Sequence, residues 1–265
     1  MLGPDDSWTD ASNWPIGSDT FVEAFAKGLL VIACFHHERT LTLSEISRRT
    51  AISRAGVRRL LHTLLELGFV HKDGDAFMLT PRVLQLGFSY LSSLSLREVA
   101  QPVIETLSRD TDEVVAISVL DGANVVYITR AEVTSVLRRG LTIGSRIPAF
   151  CTSMGRVLLA GLPPEQCAAV LNNSERRAWT RLTTTNPQKL LREIDAVRQQ
   201  GWSLVAEELE IGVCGIAAPI RNANGMVVAA INLSTNLGRH SPKSLVKKFL
   251  PRLLAASSRI GEHLQ

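Results

Sequence analysis

Five arginines and no acidic residue fall between Ser47 and His62. Arg54, Arg58 and His62 are spaced by four, so a helix would place them on one face with Arg59 beside them. Val57, Leu60, Leu61 and Leu64 would form an apolar stripe elsewhere on the same helix. An apolar back and a cationic front suit a helix that packs on a small core and lies in a DNA groove. There its guanidinium groups would pair with guanine edges or with phosphates. A solvated basic helix in an unrelated small domain is the plainer alternative. A second stretch suits anion chemistry. In Cys151-Thr152-Ser153-Met154-Gly155-Arg156, a helix starting at Thr152 or Ser153 would aim free N–H groups and the positive end of its dipole at a carboxylate. Ser153 would add a hydroxyl, Gly155 would let a ligand approach the backbone, and Arg146 lies upstream on a strand or loop able to approach. On spacing alone the simpler account is that Thr152 or Ser153 caps the helix and Gly155 permits close packing.

The elements that must position the arginines are written around them. Thr42 and Glu45 fit a capping box that starts a short helix near Leu43. Ala51-Ile52 reads as a turn. Ser53 then caps a second helix that runs to about Leu67, with Gly68 ending it. Phe69–Lys72 and Ala76–Thr80 are strand-like and flank an Asp73-Gly74-Asp75 turn. A helix-turn-helix followed at once by a hairpin is a winged helix, and the apolar run from Phe21 to Phe35 supplies its first helix. In this frame Ser53, Arg54, Arg58, Arg59 and His62 address the major groove or its phosphates. Arg48, Arg49 and Lys72 hold phosphates, which add affinity but little sequence information.

Pro81 marks a boundary. Arg82–Phe88 and Leu91–Asp110 read as linker helix, interrupted near Ser92–Ser95. Val83, Leu84, Leu86, Leu91 and Leu94 leave apolar surface there for the second domain or for another subunit. From Val114 the pattern changes. Val114–Leu120 and Asn124–Thr129 are strands about an Asp121-Gly122 turn, and Leu137–Ile143 is a candidate third strand. Helices start at Ser153, at Pro164 and at Asn186-Pro187. A strand follows at Trp202–Ala206, then a hairpin of Cys214–Arg221 and Met226–Ser234 about Asn224-Gly225. A last helix opens at Ser241-Pro242, runs to about His263, and is expected to kink at Pro251. The class is α+β, an antiparallel sheet flanked by helices. Asn232 points opposite to its strand neighbours Ile231 and Leu233, so it is either a pocket donor or solvent-facing.

The chain of 265 residues fits one or two domains, and its formal charge of +4 is too mild to argue for nucleic acid without the local clustering. The four cysteines lack CxxC or CxH spacing, so neither a metal site, a disulfide framework nor a cofactor is expected. Cys151 and Cys214 read as packing residues before they read as redox switches. No GxSxG, P-loop, HExxH or strand-following GxGxxG is present, His36-His37 lack a carboxylate or cysteine arrangement, and Cys151 lacks a base, so an enzyme is the rival with least support. With no leader and no apolar run of membrane length, a cytoplasmic protein without a membrane partner is expected. Residues 1–19 read as a flexible tail in which Trp8 and Trp14 are out of place, with docking on the folded protein and docking on a partner both open.

Together these residues resemble the IclR family of bacterial transcription regulators. The resemblance runs from about residue 20 to 264. It is carried by the winged-helix block, by Ile147 to Ala160, and by Glu207-Glu208 with Gly212 and Ile216-Ala217-Ala218-Pro219-Ile220. Val136-Leu137-Arg138-Arg139-Gly140-Leu141 with Gly144-Ser145-Arg146 looks like the subgroup that controls aromatic-acid breakdown, the PcaR and PobR type. The resemblance implies a winged helix-turn-helix over residues 20–80, a helical linker over 81–111 and a GAF-like α/β effector domain over 112–265. It implies operator DNA, an aromatic or dicarboxylic acid effector and a homodimer or pair of dimers as partners, with RNA polymerase as a further candidate. It raises Arg146, Ser153, Met154, Gly155, Val213, Gly215 and Asn232 to effector-binding candidates, with Glu207-Glu208 and Gly212 in the facing wall. One departure stands out. The subgroup usually carries Gly-Leu-Arg-Ser where this chain has Gly212-Val213-Cys214-Gly215, which puts the exact ligand in doubt. A DNA-binding protein whose second domain only oligomerises is the alternative.

Overall fold

The computed structural model describes residues 9–36, 38–86, 96–132 and 141–264. The chain divides into two compact units, residues 1–93 and 94–265.

The first unit is built as α1 (Glu23–Ala33), β1 (Leu41–Thr42), α2 (Leu43–Thr50), α3 (Arg54–Glu66), β2 (Val70–Asp73) and β3 (Ala76–Leu79). Local chemistry sets its boundaries. The Thr42 hydroxyl accepts the Glu45 N–H at 3.3 Å, and the Glu45 carboxylate accepts the Thr42 N–H at 2.8 Å, a complete capping box. Ala51 ends α2 in the left-handed region at φ 56°, and Ser53 caps α3 by accepting the Gly56 N–H at 3.2 Å. Val57, Leu61 and Leu64 of α3 are buried with Ile46, Ile52, Val70, Phe77 and the α1 residues Leu30, Val31, Cys34 and Phe35, while Leu60 is partly buried against them. The wing is a three-stranded sheet of order β1-β3-β2, one short strand more than the hairpin expected.

Of the two docking alternatives for the tail, Trp14 takes the folded protein. Asp10 caps a single 3-10 turn, Ala11–Asn13, and Trp14 packs on the core of this unit with its ring 5.9 Å from that of Phe21. An indole on an apolar cluster removes a large area from water, which anchors this stretch. Trp8 lies outside the described residues.

The second unit comprises α4 (Leu96–Thr111), β4 (Val114–Asp121), β5 (Asn124–Ala131), β6 (Arg146–Pro148), α5 (Ser153–Gly161), α6 (Pro164–Asn172), α7 (Pro187–Gln200), β7 (Ser203–Ala206), β8 (Val213–Arg221), β9 (Val227–Asn236) and α8 (Pro242–Gly261). The strands form one antiparallel sheet of order β6-β5-β4-β9-β8-β7. Residues directly paired across strands share a face. Ala116, Ala217 and Ala230 belong to the cluster with α5, α6 and α7, which places Ser118, Gly215 and Asn232 on that side by register. Alternating residues such as Ile117, Ile216 and Ile231 point to the other face, covered by α4 and α8.

Two expectations shift here. Residues 96–111, expected within the linker, form α4, which buries Leu96, Ala100, Val103, Ile104 and Leu107 as core of the second unit. Among the described residues the strand after β5 is Arg146–Pro148; of the expected Leu137–Ile143, residues 137–140 are outside the described residues and residues 141–143 are not in a strand. α8 continues as helix on both sides of Pro251, which is exposed. Leu84 and Leu86 are exposed and Val83 is half-buried, while Leu91 and Leu94 lie outside the described residues. No helix among the described residues is long and apolar enough to cross a membrane.

Candidate nucleic-acid interface and effector site

The recognition face follows from the packing of α3. Burying Val57, Leu61 and Leu64 forces Arg54, Arg58, Arg59 and His62 outward, and all four are exposed. Among the described residues the Arg54, Arg58 and Arg59 side chains make no hydrogen bond or ion pair. His62 approaches Glu66 one turn on, at 4.0 Å. Arg48 is exposed at the end of α2, and Ser53 is exposed at the start of α3. Lys72 sits on β2 with its ammonium 5.8 Å from the ring centre of Phe77, its partner across the wing. Arg49 departs from its expected role. Its guanidinium donates to the Cys34 carbonyl at 3.2 Å and to the Glu38 carboxylate at 2.7 Å. It ties α2 to the end of α1, so although Arg49 remains exposed its guanidinium is already engaged.

In the second unit the seven effector candidates part company. Thr152 is the N-cap of α5 and accepts the Gly155 N–H at 3.2 Å. That leaves the N–H groups of Ser153 and Met154 without an acceptor among the described residues, although both residues are buried. The Ser153 hydroxyl and the Asn232 amide are also without partners among the described residues, and their residues are 4% and 3% exposed. Gly215 joins them: a Cβ built there would stand 2.9 Å from Ser153 Oγ and 3.6 Å from Asn232 Nδ2. Ser153, Met154, Gly215 and Asn232 therefore converge where the positive end of α5 meets strands β8 and β9. Val213, on the same face of β8, is half-buried two residues away.

Two candidates are corrected. A Cβ on Gly155 would lie 2.1 Å from the Ala149 carbonyl oxygen and 2.3 Å from Ala149 Cα. The glycine lets the helix press on the preceding loop, so it serves close packing, not ligand approach. Arg146 is exposed at the sheet edge, and its guanidinium pairs with the Asp121 carboxylate. The neighbouring acids also serve the fold. Arg156 is 5% exposed and donates to the Phe150 carbonyl at 2.9 Å, with Glu208 at 2.8 Å and Glu193 at 3.1 Å. Glu208 in turn accepts the Thr184 N–H at 2.9 Å, and Glu207 accepts the Gly212 N–H at 2.9 Å. Glu207 thus braces its own loop and Glu208 ties that loop to α5 and to Thr184, so both carboxylates are engaged within the fold.

Sequence reading missed Ser118. Its hydroxyl is fully buried with no hydrogen-bond partner, on the Asn232 face of the sheet and two residue pairs along β4 and β9. A small polar residue inside an apolar run disturbs no periodicity, and only the strand register brings it near the site. A crevice of about 20 Å³ at the other end of α5, lined by Gly161, Val197, Arg198 and Val227, has room for a water but not for an organic acid. Burial raises the Cys151 thiol to about 12, with Glu208 adding to the shift and Arg156 opposing it, and burial raises Cys214 to about 11. Thiols held this far from ionisation are poor redox switches.

Comparison with known proteins places both units in known domain families. Residues 24–74 match the IclR helix-turn-helix domain, and residues 88–262 match the bacterial transcriptional regulator IclR C-terminal domain. The chain is 44% identical over 243 residues to the Pca regulon regulatory protein of Pseudomonas putida, covering 91% of this chain and 84% of that one. The crystal structure of a transcriptional regulator from Rhodococcus sp. RHA1 superposes with a TM-score of 0.83 at 46% identity, covering 92% and 98% of the two chains. A double mutant of the PobR inducer-binding domain from Acinetobacter, in complex with 3-hydroxybenzoic acid, matches 60% of this chain and 94% of its own, with a TM-score of 0.57 and 34% identity. Carrying a DNA-binding helix-turn-helix ahead of an effector-type domain, the protein belongs to the IclR family of bacterial transcriptional regulators.

Proposed function

We propose that this regulator binds operator DNA through Arg54, Arg58, Arg59, His62 and Ser53, with Arg48 and Lys72 on phosphates, and that a small aromatic acid switches it. The carboxylate is held at the start of α5 by the Ser153 and Met154 N–H groups, the Ser153 hydroxyl and the Asn232 amide. One observation carries this reading: four unpaired hydrogen-bonding groups, all on buried residues, face one place at the positive end of a helix. Buried polar groups normally have partners, so a set left without them marks a binding site. The benzoic acid in the related PobR domain supports an aromatic ligand. The protein acts in the cytoplasm as a homodimer or pair of dimers, since helix-turn-helix modules address paired half-sites. RNA polymerase is its further partner.

Thermal melts with 3-hydroxybenzoate test the site. A ligand at a hundred times its Kd stabilises by about 2.7 kcal/mol. Wild-type protein should melt higher in its presence, and Ser153→Ala should lose most of that shift while binding DNA normally. An equal shift in both proteins would move the pocket elsewhere. No shift with any hydroxybenzoate would favour a second domain that only oligomerises.

A further inference from the structure

We infer that Gly215 is the size filter of the effector site, admitting acids in which the carbon next to the carboxylate is branched or belongs to a ring. This inference rests on the reading that an acid binds at the start of α5. Two glycines flank that place, and they are glycines for different reasons. At Gly155 an added Cβ would strike backbone atoms of Ala149 at 2.1–2.5 Å, so the fold itself forbids a side chain. At Gly215 the nearest obstacle is the tip of a hydroxyl, Ser153 Oγ at 2.9 Å, and the next atoms are Asn232 Nδ2 at 3.6 Å and the Leu233 carbonyl oxygen at 3.7 Å. Gly215 also lies within β8 and is not among the positive-φ residues. Neither backbone conformation nor backbone crowding therefore requires glycine there.

What the missing side chain does is keep two donors on one opening. Ser153 and Asn232 are both more than nine-tenths buried and unpaired among the described residues, and a side chain on Gly215 would project between them. A carboxylate reaching both donors must lie against the β8 backbone at Gly215. If its neighbouring carbon belongs to a ring, the ring passes over the same residue. A methyl group there would obstruct the ring and leave room for a slender, short acid. In a closed pocket one carbon discriminates by about 10- to 200-fold.

Calorimetry on the full chain decides the matter, with 3-hydroxybenzoate and propionate as probes against wild type and Gly215→Ala. Wild type should prefer the aromatic acid. Gly215→Ala should lose about 10- to 200-fold in affinity for 3-hydroxybenzoate while its affinity for propionate holds or rises. Should the variant melt early, the titrations are run below its melting transition, where retained propionate binding reports a folded site; loss of propionate binding along with the aromatic acid there overturns the filter. Binding of both acids with an unchanged preference in Gly215→Ala overturns the filter alone. Failure of both acids to bind wild type overturns the effector reading and the filter with it.

Discussion

Arg58 and Arg49 carry the same group on neighbouring helices and are employed in opposite ways. Arg58 is exposed beside Arg54 and Arg59, whereas Arg49 is spent on the Cys34 carbonyl and Glu38. Arg58→Ala should therefore weaken binding to an operator selected from random sequence and flatten its preference over random DNA, by about 1–3 kcal/mol if the guanidinium pairs with a guanine. Arg49→Ala should lower the melting temperature and leave that preference intact. Gel shifts in which the two variants behave alike would remove Arg58 from the recognition face. Gly155 makes a prediction of stability only. Because its Cβ would collide with backbone, Gly155→Ala should cost about 3 kcal/mol in urea unfolding. A near-neutral effect would mean that the loop before α5 yields easily and that packing is not the reason for the glycine.

At the scale of elements, each helix start in the functional regions is fixed by a side chain next to it in sequence. Thr42 with Glu45 starts α2, Ser53 starts α3 and Thr152 starts α5. The first of these carries a pH signature. The Thr42 N–H, then its hydroxyl, hold the Glu45 carboxyl below its usual value of 4.5. A carboxylate whose folded pKa is depressed contributes stability above its unfolded pKa and loses that contribution as pH falls through the folded value. The melting-temperature gap between wild type and Glu45→Ala should thus be present at neutral pH and shrink below about pH 4. A gap of the same size in acid would show that the carboxylate charge plays no part. Tertiary links of another kind hold α5. The buried Arg156 joins it to α7 through Glu193 and to the loop after β7 through Glu208, so the helix start is held from three sides.

At the scale of the whole molecule, a regulator needs its effector site and its DNA site to be coupled. A ligand that binds two arrangements equally shifts nothing, so the acid must favour one arrangement of the DNA-reading units over another. Coupling between binding sites is reciprocal. Whatever factor 3-hydroxybenzoate applies to operator affinity, operator DNA should apply to 3-hydroxybenzoate affinity, measurable by fluorescence anisotropy and calorimetry on the same preparation. Unequal factors would show that a third equilibrium, such as assembly, intervenes. The position of α4 bears on this coupling. It is core of the second unit and begins that unit's described residues, directly after the part of the chain that joins it to the DNA-reading unit.

The sequence by itself determined the winged helix and the cationic face of α3. Those features depend on contacts a few residues apart: capping side chains, a turn and a helical period. It also determined the starts of α5, α7 and α8 and the hairpin of β8 with β9, again from local signals at Thr152-Ser153, Asn186-Pro187, Ser241-Pro242 and Asn224-Gly225. Only the tertiary structure decided which polar residues are free to bind. Arg49 and Arg146 are spent on Glu38 and Asp121, 11 and 25 residues away along the chain. Asn232 turns inward because the register of β9 between β4 and β8 puts it on the α5 face. Gly155 and Gly215 look alike in a sequence and differ in space, one meeting backbone and the other a hydroxyl. Each of these outcomes depends on atoms brought together by chain closure across the sheet, and no local pattern records that.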